Sequence, residues 1–216
     1  MKYIRKIISL LLVSVFVLML ASCGDDGSSS SVDLSNAPEK KTGTFVMTLY
    51  PKYAPITVEN FLSLVDDGFY NGLTFHRVMD KFMAQGGDPN GNGSGGADKT
   101  IKGEFAANGV DNKLSHKRGI VSMARSKSYD SASSQFFICY ADVSATLDGG
   151  YAAFGEVTEG MEVIDGFLRC ERKPNARGEV AVPVYPITIE KATRLDTAEG
   201  EDPKVQFEVS YYPKEG

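Results

Sequence analysis

"FHRVMDKFMAQGGD", residues 75–88, decides how this chain is read. Phe75, Val78, Phe82 and Met83 give it the β-forming, apolar character of strand, and Gly86-Gly87-Asp88 ends it with turn chemistry. Among them stand His76, Arg77 and Gln85. A barrel or sandwich interior does not welcome an unpaired guanidinium, so Arg77 belongs on an outer face, either paired with a carboxylate or lining a pocket. Simple alternation puts Phe75 on Arg77's face and turns His76 the other way, which favours a structural, hydrogen-bonded histidine.

The flanks extend the strand pattern. Phe45 to Tyr50 is rich in β-formers and stops at Pro51. Pro55 then opens a helix whose Val58, Phe61, Leu62 and Val65 share one face, with Gly68 placed to end it. Further short strands are expected around 73–79, 82–85, 119–124, 134–140, 151–157 and 184–191, with a second helix from Met161 to Phe167. Parity in Ser134 to Cys139 sends Gln135 and Phe137 to one face and Phe136 and Ile138 to the other. Many short strands with few helices point to a closed barrel or sandwich, not a parallel α/β sheet.

The 216 residues are 42% hydrophobic and 10% aromatic, enough for one ordinary core with appendages. Lys2, Arg5 and Lys6 precede an apolar run of 15 residues from Ile7 to Ala21, the pattern of a signal peptide and too short to span a bilayer comfortably. Leu20-Ala21-Ser22-Cys23 resembles the lipobox of bacterial lipoproteins, where cleavage exposes the cysteine for lipid attachment to its sulfur. The expected layout is a signal peptide over 1–22, lipidation at Cys23, a polar flexible tether over 23–42 and a domain over 43–195. Residues 196–216 form an acidic linker and an alternating segment, Val205 to Tyr211, able to pair with a sheet edge or another chain; no function is assigned to it. The protein is therefore expected to sit outside the cytoplasm, anchored by lipid to a bacterial cell membrane.

Loss of residues 1–22 removes three cations and no acids, leaving 20 basic against 28 acidic residues, a net charge of −8. That disfavours nucleic acid as a partner. Cys139 and Cys170 can pair in an oxidising compartment or remain free thiols, and the sequence leaves both open.

Several chemistries fit poorly. Gly91-x-Gly93-x-x-Gly96 matches a dinucleotide fingerprint, but Ala97 to Phe105 lacks the helical stripe the fingerprint needs, so these glycines read as a tight loop. No Gly-x-Ser-x-Gly elbow is present, His116 lies in a polar turn expected to be solvated, and the cysteines lack metal-ligand spacing.

Phe75-His76-Arg77-Val78, Phe82-Met83-x-Gln85-Gly86-Gly87-Asp88, Ser122-Met123-Ala124, Ser134-Gln135-Phe136-Phe137-Ile138, Leu147-Asp148-Gly149 and Phe154-Gly155 occur in this order. Together they resemble the signature blocks of cyclophilin-type peptidyl-prolyl isomerases across residues 43–194. The resemblance implies an all-β fold: a closed eight-stranded antiparallel β-barrel capped by two α-helices, with the active groove on its outer wall. By position it makes Arg77 and Gln85 catalytic, and Phe82, Met83, Phe137 and Leu147 a proline pocket. It places Gln135 and Ala124 beside the substrate backbone. Proline-containing polypeptides are the implied substrates, here those of exported proteins, with a monomer expected and no cofactor or metal required.

Three positions depart from the family's habit. Thr146 stands where many members have Trp before Leu-Asp-Gly, which puts tight cyclosporin binding in doubt. Tyr151 stands where a histidine is frequent at the pocket edge, and Arg125 replaces an asparagine after Met-Ala, altering substrate grip. The competing function is a noncatalytic proline-binding chaperone module.

Overall fold

The computed structural model describes residues 32–215. Cys23 and the segment 1–22 lie outside the described residues. The strands in chain order are β1 (Lys41–Leu49), β2 (Thr74–Met79), β3 (Met83–Asp88), β4 (Ile120–Met123), β5 (Phe136–Cys139) and β6 (Ala153–Glu159). They continue as β7 (Arg172–Pro174), β8 (Val180–Pro183), β9 (Thr188–Leu195) and β10 (Lys204–Tyr211). Eight of them close an antiparallel barrel in the order β1-β10-β9-β2-β3-β5-β4-β6, while β7 and β8 form a separate hairpin.

The domain boundary expected at 195 therefore falls inside the barrel. β10 pairs with β1 from Lys41↔Tyr211 to Thr48↔Lys204, and with β9 from Lys204↔Leu195 to Ser210↔Thr188. Its alternate residues Val205, Phe207 and Val209 are buried in the core. Phe207 stacks on Phe45 at 5.1 Å and also meets Phe61, Tyr70 and Phe136. The half-buried alternation seen in the sequence is thus that of a barrel stave filled from one side.

Helix α1 (Pro55–Asp66) buries Val58, Phe61, Leu62 and Val65 as the stripe predicts, with Pro at its first turn. Its own N-cap offers no side-chain acceptor. The buried Glu104, from a distant loop, accepts the Ile56 and Thr57 N–H groups at 3.0 and 2.7 Å and the Thr57 hydroxyl at 2.7 Å. A carboxylate at the positive end of the helix satisfies donors that would otherwise be orphaned. Helix α2 (Ser144–Leu147) is a single turn, and α3 (Met161–Phe167) lies where the second helix was expected.

A β-bulge corrects the parity argument for β2. Phe75 pairs with Gly86 and Arg77 with Gln85, so His76 is an extra residue opposite none of its own. The bulge re-aims the strand. Phe75 and Val78 enter the barrel core, while Arg77 faces the outer groove. Gly87 next to this seam has φ +80°, and a Cβ there would lie 2.6 Å from the Ser134 carbonyl, which explains the glycine in the opening stretch.

Candidate active site

The outer faces of β2, β3 and β5 meet α2, the 91–95 loop and the turn of the β7–β8 hairpin around a groove of about 790 Å³. Its apolar floor is separate from the barrel core: Met83, Phe137, Cys139 and Leu147 are buried together, with Phe82, Ala124 and Tyr151 packed at the edge. Strand parity in β5 produces this division. Phe136 and Ile138 fill the barrel, and Phe137 lies on the other side, edge-on to Tyr151 at 6.0 Å. Arg77, Phe82, Met83, Gln85, Ala124, Arg125, Gln135, Phe137, Leu147 and Tyr151 all line the groove.

The polar side of the groove is one connected hydrogen-bond chain. Gln135 donates through Nε2 to the Gly95 carbonyl at 2.7 Å, and its Oε1 accepts from Gln85 Nε2 at 2.8 Å. That fixes Gln85 with its Oε1 toward Arg77, whose Nη1 lies 3.4 Å away. Arg77 Nη2 in turn donates to both carboxylate oxygens of Glu179, at 3.2 and 3.1 Å. The guanidinium carbon is 5.7 Å from the centre of the Phe82 ring, at the border of apolar floor and polar wall. Both options raised by the sequence hold at once: Arg77 is paired with a carboxylate and lines a pocket.

Arg125 marks the opposite rim. Its guanidinium lies 4.6, 5.1 and 5.2 Å from the ring centres of Tyr151, Tyr129 and Phe105, and it donates to the Gly150 and Ser126 carbonyls. Aromatic faces and carbonyls hold this cation, with no carboxylate partner among the described residues.

Both histidines differ from expectation. His76 lines the groove with Arg77, because the bulge breaks the alternation that would separate them. It is buried and neither ring nitrogen has a hydrogen-bond partner among the described residues, and burial lowers its pKa below the usual value. His116, expected to be solvated, is 1% exposed beneath the pocket and stacks on Phe137 at 6.1 Å. Its Nδ1 meets Asp148 at 2.7 Å and its Nε2 meets the Ser122 hydroxyl at 2.9 Å. Burial outweighs the Asp148 carboxylate and holds this imidazole below its usual pKa too. Ser122, His116 and Asp148 thus copy the connectivity of a hydrolase triad, but the Ser122 side chain is fully buried and does not line the groove. The local sequence of His116 is polar; only the fold brings Phe137 over it.

Other nucleophiles are equally unsuited. Burial pushes the Cys139 thiol up to about 12 and the Cys170 thiol up to about 11, and the two are free of each other. The 88–96 glycine loop is tied by Asp88, whose carboxylate accepts the N–H groups of Asn90, Asn92 and Gly93, and no helix follows it to receive a pyrophosphate. Among the described residues no cluster of ligating side chains could hold a metal ion. What the groove offers is an apolar floor with the Arg77 guanidinium held at one side and the Arg125 guanidinium at the opposite rim.

The sequence reading missed the β7–β8 hairpin and with it Glu179. Asn175-Ala176-Arg177-Gly178 before Val180-Ala181-Val182 is a legible turn-and-strand signal, but nothing local shows that it hangs over Arg77.

Comparison with known proteins points to one family. Residues 34–194 match the family model described as cyclophilin type peptidyl-prolyl cis-trans isomerase/CLD. A peptidyl-prolyl cis-trans isomerase of Helicobacter pylori is 48% identical over 125 residues, 57% of this chain and 73% of that protein. One of Streptomyces antibioticus is 40% identical over 175 residues, 77% of this chain and 99% of that protein. A crystal structure of a Cryptosporidium parvum cyclophilin type isomerase, determined in the presence of the dipeptide Ala-Pro, is similar with a TM-score of 0.58 and 30% identity. It aligns over 69% of this chain and 96% of its own.

Proposed function

The chain belongs to the cyclophilin-type peptidyl-prolyl cis-trans isomerases and is an enzyme of that kind, and from this premise we propose that Arg77 accelerates rotation by stabilising the twisted imide. A peptide bond before proline turns over a barrier of about 18–20 kcal/mol because the nitrogen lone pair is delocalised into the carbonyl. Unaided exchange takes roughly tens to hundreds of seconds. No bond breaks, so no nucleophile or metal is required.

Twisting the bond returns the lone pair to nitrogen, which becomes an acceptor only near the transition state. A guanidinium aimed at it binds the twisted form better than either planar isomer, and that difference lowers the barrier. The observation that supports this reading is the position of Arg77: its guanidinium lies 5.7 Å from the Phe82 ring centre and lines the same groove as Met83, Phe137 and Leu147. The apolar floor holds the ring and excludes water, and Gln135 and Ala124 border the path of the flanking backbone. A hydrogen bond from a charged donor contributes roughly 1.5–3 kcal/mol, or about ten- to a hundredfold in rate. The rest comes from gripping the chain near the rotated geometry.

In a protease-coupled assay on an Ala-Pro peptide, Arg77→Ala lowers kcat/KM about a hundredfold with the fold intact, and Arg77→Lys restores little because an ammonium lacks the planar fork. A folded Arg77→Ala protein with near-normal activity removes Arg77 from the mechanism.

The substrates in this reading are X-Pro bonds of exported proteins. The support is the signal-like segment and the lipobox-like Leu20-Ala21-Ser22-Cys23, which would tether the enzyme where secreted chains emerge and slow proline steps limit their folding. Metabolic labelling with a radioactive fatty acid tests the anchor: label lost in Cys23→Ala supports it, and label absent from the unaltered protein ends it.

A further inference from the structure

Arg77 is held from two sides, and the second side comes from an element outside the barrel. Gln85 Oε1 faces Nη1, and both carboxylate oxygens of Glu179 face Nη2. Glu179 closes the β7–β8 turn, which is built to fix it. Asn175 N donates to the Glu179 carbonyl at 2.8 Å, and Asn175 Oδ1 accepts the Arg177 and Glu179 N–H groups at 2.9 and 3.1 Å. Asn175 Nδ2 then grips the Glu179 carboxylate itself at 2.6 Å. Gly178 supplies the φ of +79° that lets the turn close.

We propose that Glu179 is a positioning residue for the isomerisation: with Gln85 it holds the guanidinium so that its remaining N–H groups meet the rotating imide. This rests on the reading of Arg77 given above. A guanidinium has five N–H donors in a rigid fork, and the two flanking partners leave donors free for a substrate. A long side chain without such partners spreads over many rotamers and reaches the productive one only part of the time. Held in place, it arrives at the transition state already oriented, so the benefit falls on kcat rather than on ground-state binding.

A carboxylate also opposes. Its negative charge weakens the field that the guanidinium presents to the imide. Orientation and charge damping predict opposite signs, which makes the role testable. The Glu179 carboxyl is held below its usual pKa by the Asn175 bond first and by the Arg77 charge after it, so it is ionised near neutral pH.

The test measures kcat and KM separately for the full chain on an Ala-Pro peptide, with Glu179→Ala, Glu179→Gln, Arg77→Ala and the Arg77→Ala/Glu179→Ala double variant. Glu179→Ala is expected to lower kcat about tenfold with KM within about twofold, whereas Glu179→Gln, which keeps an acceptor of the same shape, stays within about threefold of the unaltered protein. In the Arg77→Ala background the Glu179→Ala change should have no further effect. Thermal melting confirms that each variant is folded, and Glu179→Gln reports even if the alanine variant melts early. Equal or faster turnover in Glu179→Ala overturns the proposal, because charge damping then wins. So does an undiminished loss in the Arg77→Ala background, which would show that Glu179 acts on something other than Arg77. Failure of the Arg77 reading is seen separately, in the Arg77→Ala single variant.

Discussion

The two faces of β5 make opposite demands on the same four residues. Inward, Phe136 and Ile138 join a shared aromatic core in which Phe61, Tyr70, Phe75 and Phe207 all touch Phe136. Outward, Phe137 lies in a four-residue buried cluster whose neighbours are single polar side chains, each oriented by the next. The inner face is stabilised by area, summed over many contacts. In the function proposed above, the outer face works through the placement of a few atoms, and most of its energy is realised only when substrate arrives. Changes inside should therefore appear in stability, and changes outside in rate or affinity.

The largest expected effect tests the inner face. Removing residues 196–216 takes away Val205, Phe207 and Val209, each worth about 1.5–3 kcal/mol of burial. Their sum rivals the roughly 5–15 kcal/mol total stability of a domain, and the loss leaves β1 and β9 as open edges. The truncated protein should fail to give a cooperative melt and should aggregate. A soluble, active truncation would show that the barrel does not depend on its last stave.

Next comes a matched pair, Phe207→Ala and Phe137→Ala. The first should cost about 3–5 kcal/mol, enough to lower Tm by roughly 10 °C, and leave the affinity of folded protein for an Ala-Pro peptide unchanged. The second should melt closer to the unaltered protein and bind that peptide about tenfold more weakly. Equal melting losses with unchanged affinity for Phe137→Ala would make the groove floor merely more core.

The smallest effect is a pH slope. His76 and His116 both have folded pKa values below the ordinary value of 6.5. The unfolded chain therefore binds more protons than the folded one as pH falls through the usual histidine range, and stability declines from about pH 7 downward. Asp88 and Asp148, held low by main-chain and side-chain hydrogen bonds despite burial, add their own loss only below the ordinary carboxylate range. A His76→Leu variant should flatten part of the upper decline in urea melts between about pH 7 and 5. A slope unchanged in that variant would mean His76 titrates normally.

Much of this was legible in the chain because the signals were local. The stripe of α1 needs only positions three and four apart, and the division between Phe136 and Phe137 needs only the period of a strand. What escaped depended on distant partners. The bulge at His76 is visible only against Gly86 and Gln85 across the seam. His116 sits in a polar stretch and becomes buried only because Phe137 and Asp148 close over it. The alternation of β10 left its partner open between a sheet edge and another chain, and the structure pairs it with β1 and β9 of the same barrel. Glu179 needed the hairpin's resting place, which no spacing encodes.

The pairing of Lys41 with Tyr211 is also expected to slow this protein's own assembly. Sealing the cylinder brings together positions almost the whole domain apart, and such non-local pairing must meet its loop-closure entropy before any contact rewards it. The seam between β2 and β3, which carries Arg77 and Gln85, is a short hairpin that can form early. An enzyme that relieves a slow step in other chains is thus expected to close its own barrel slowly, and circularly permuted forms that join β10 to β1 should refold faster than the unaltered chain.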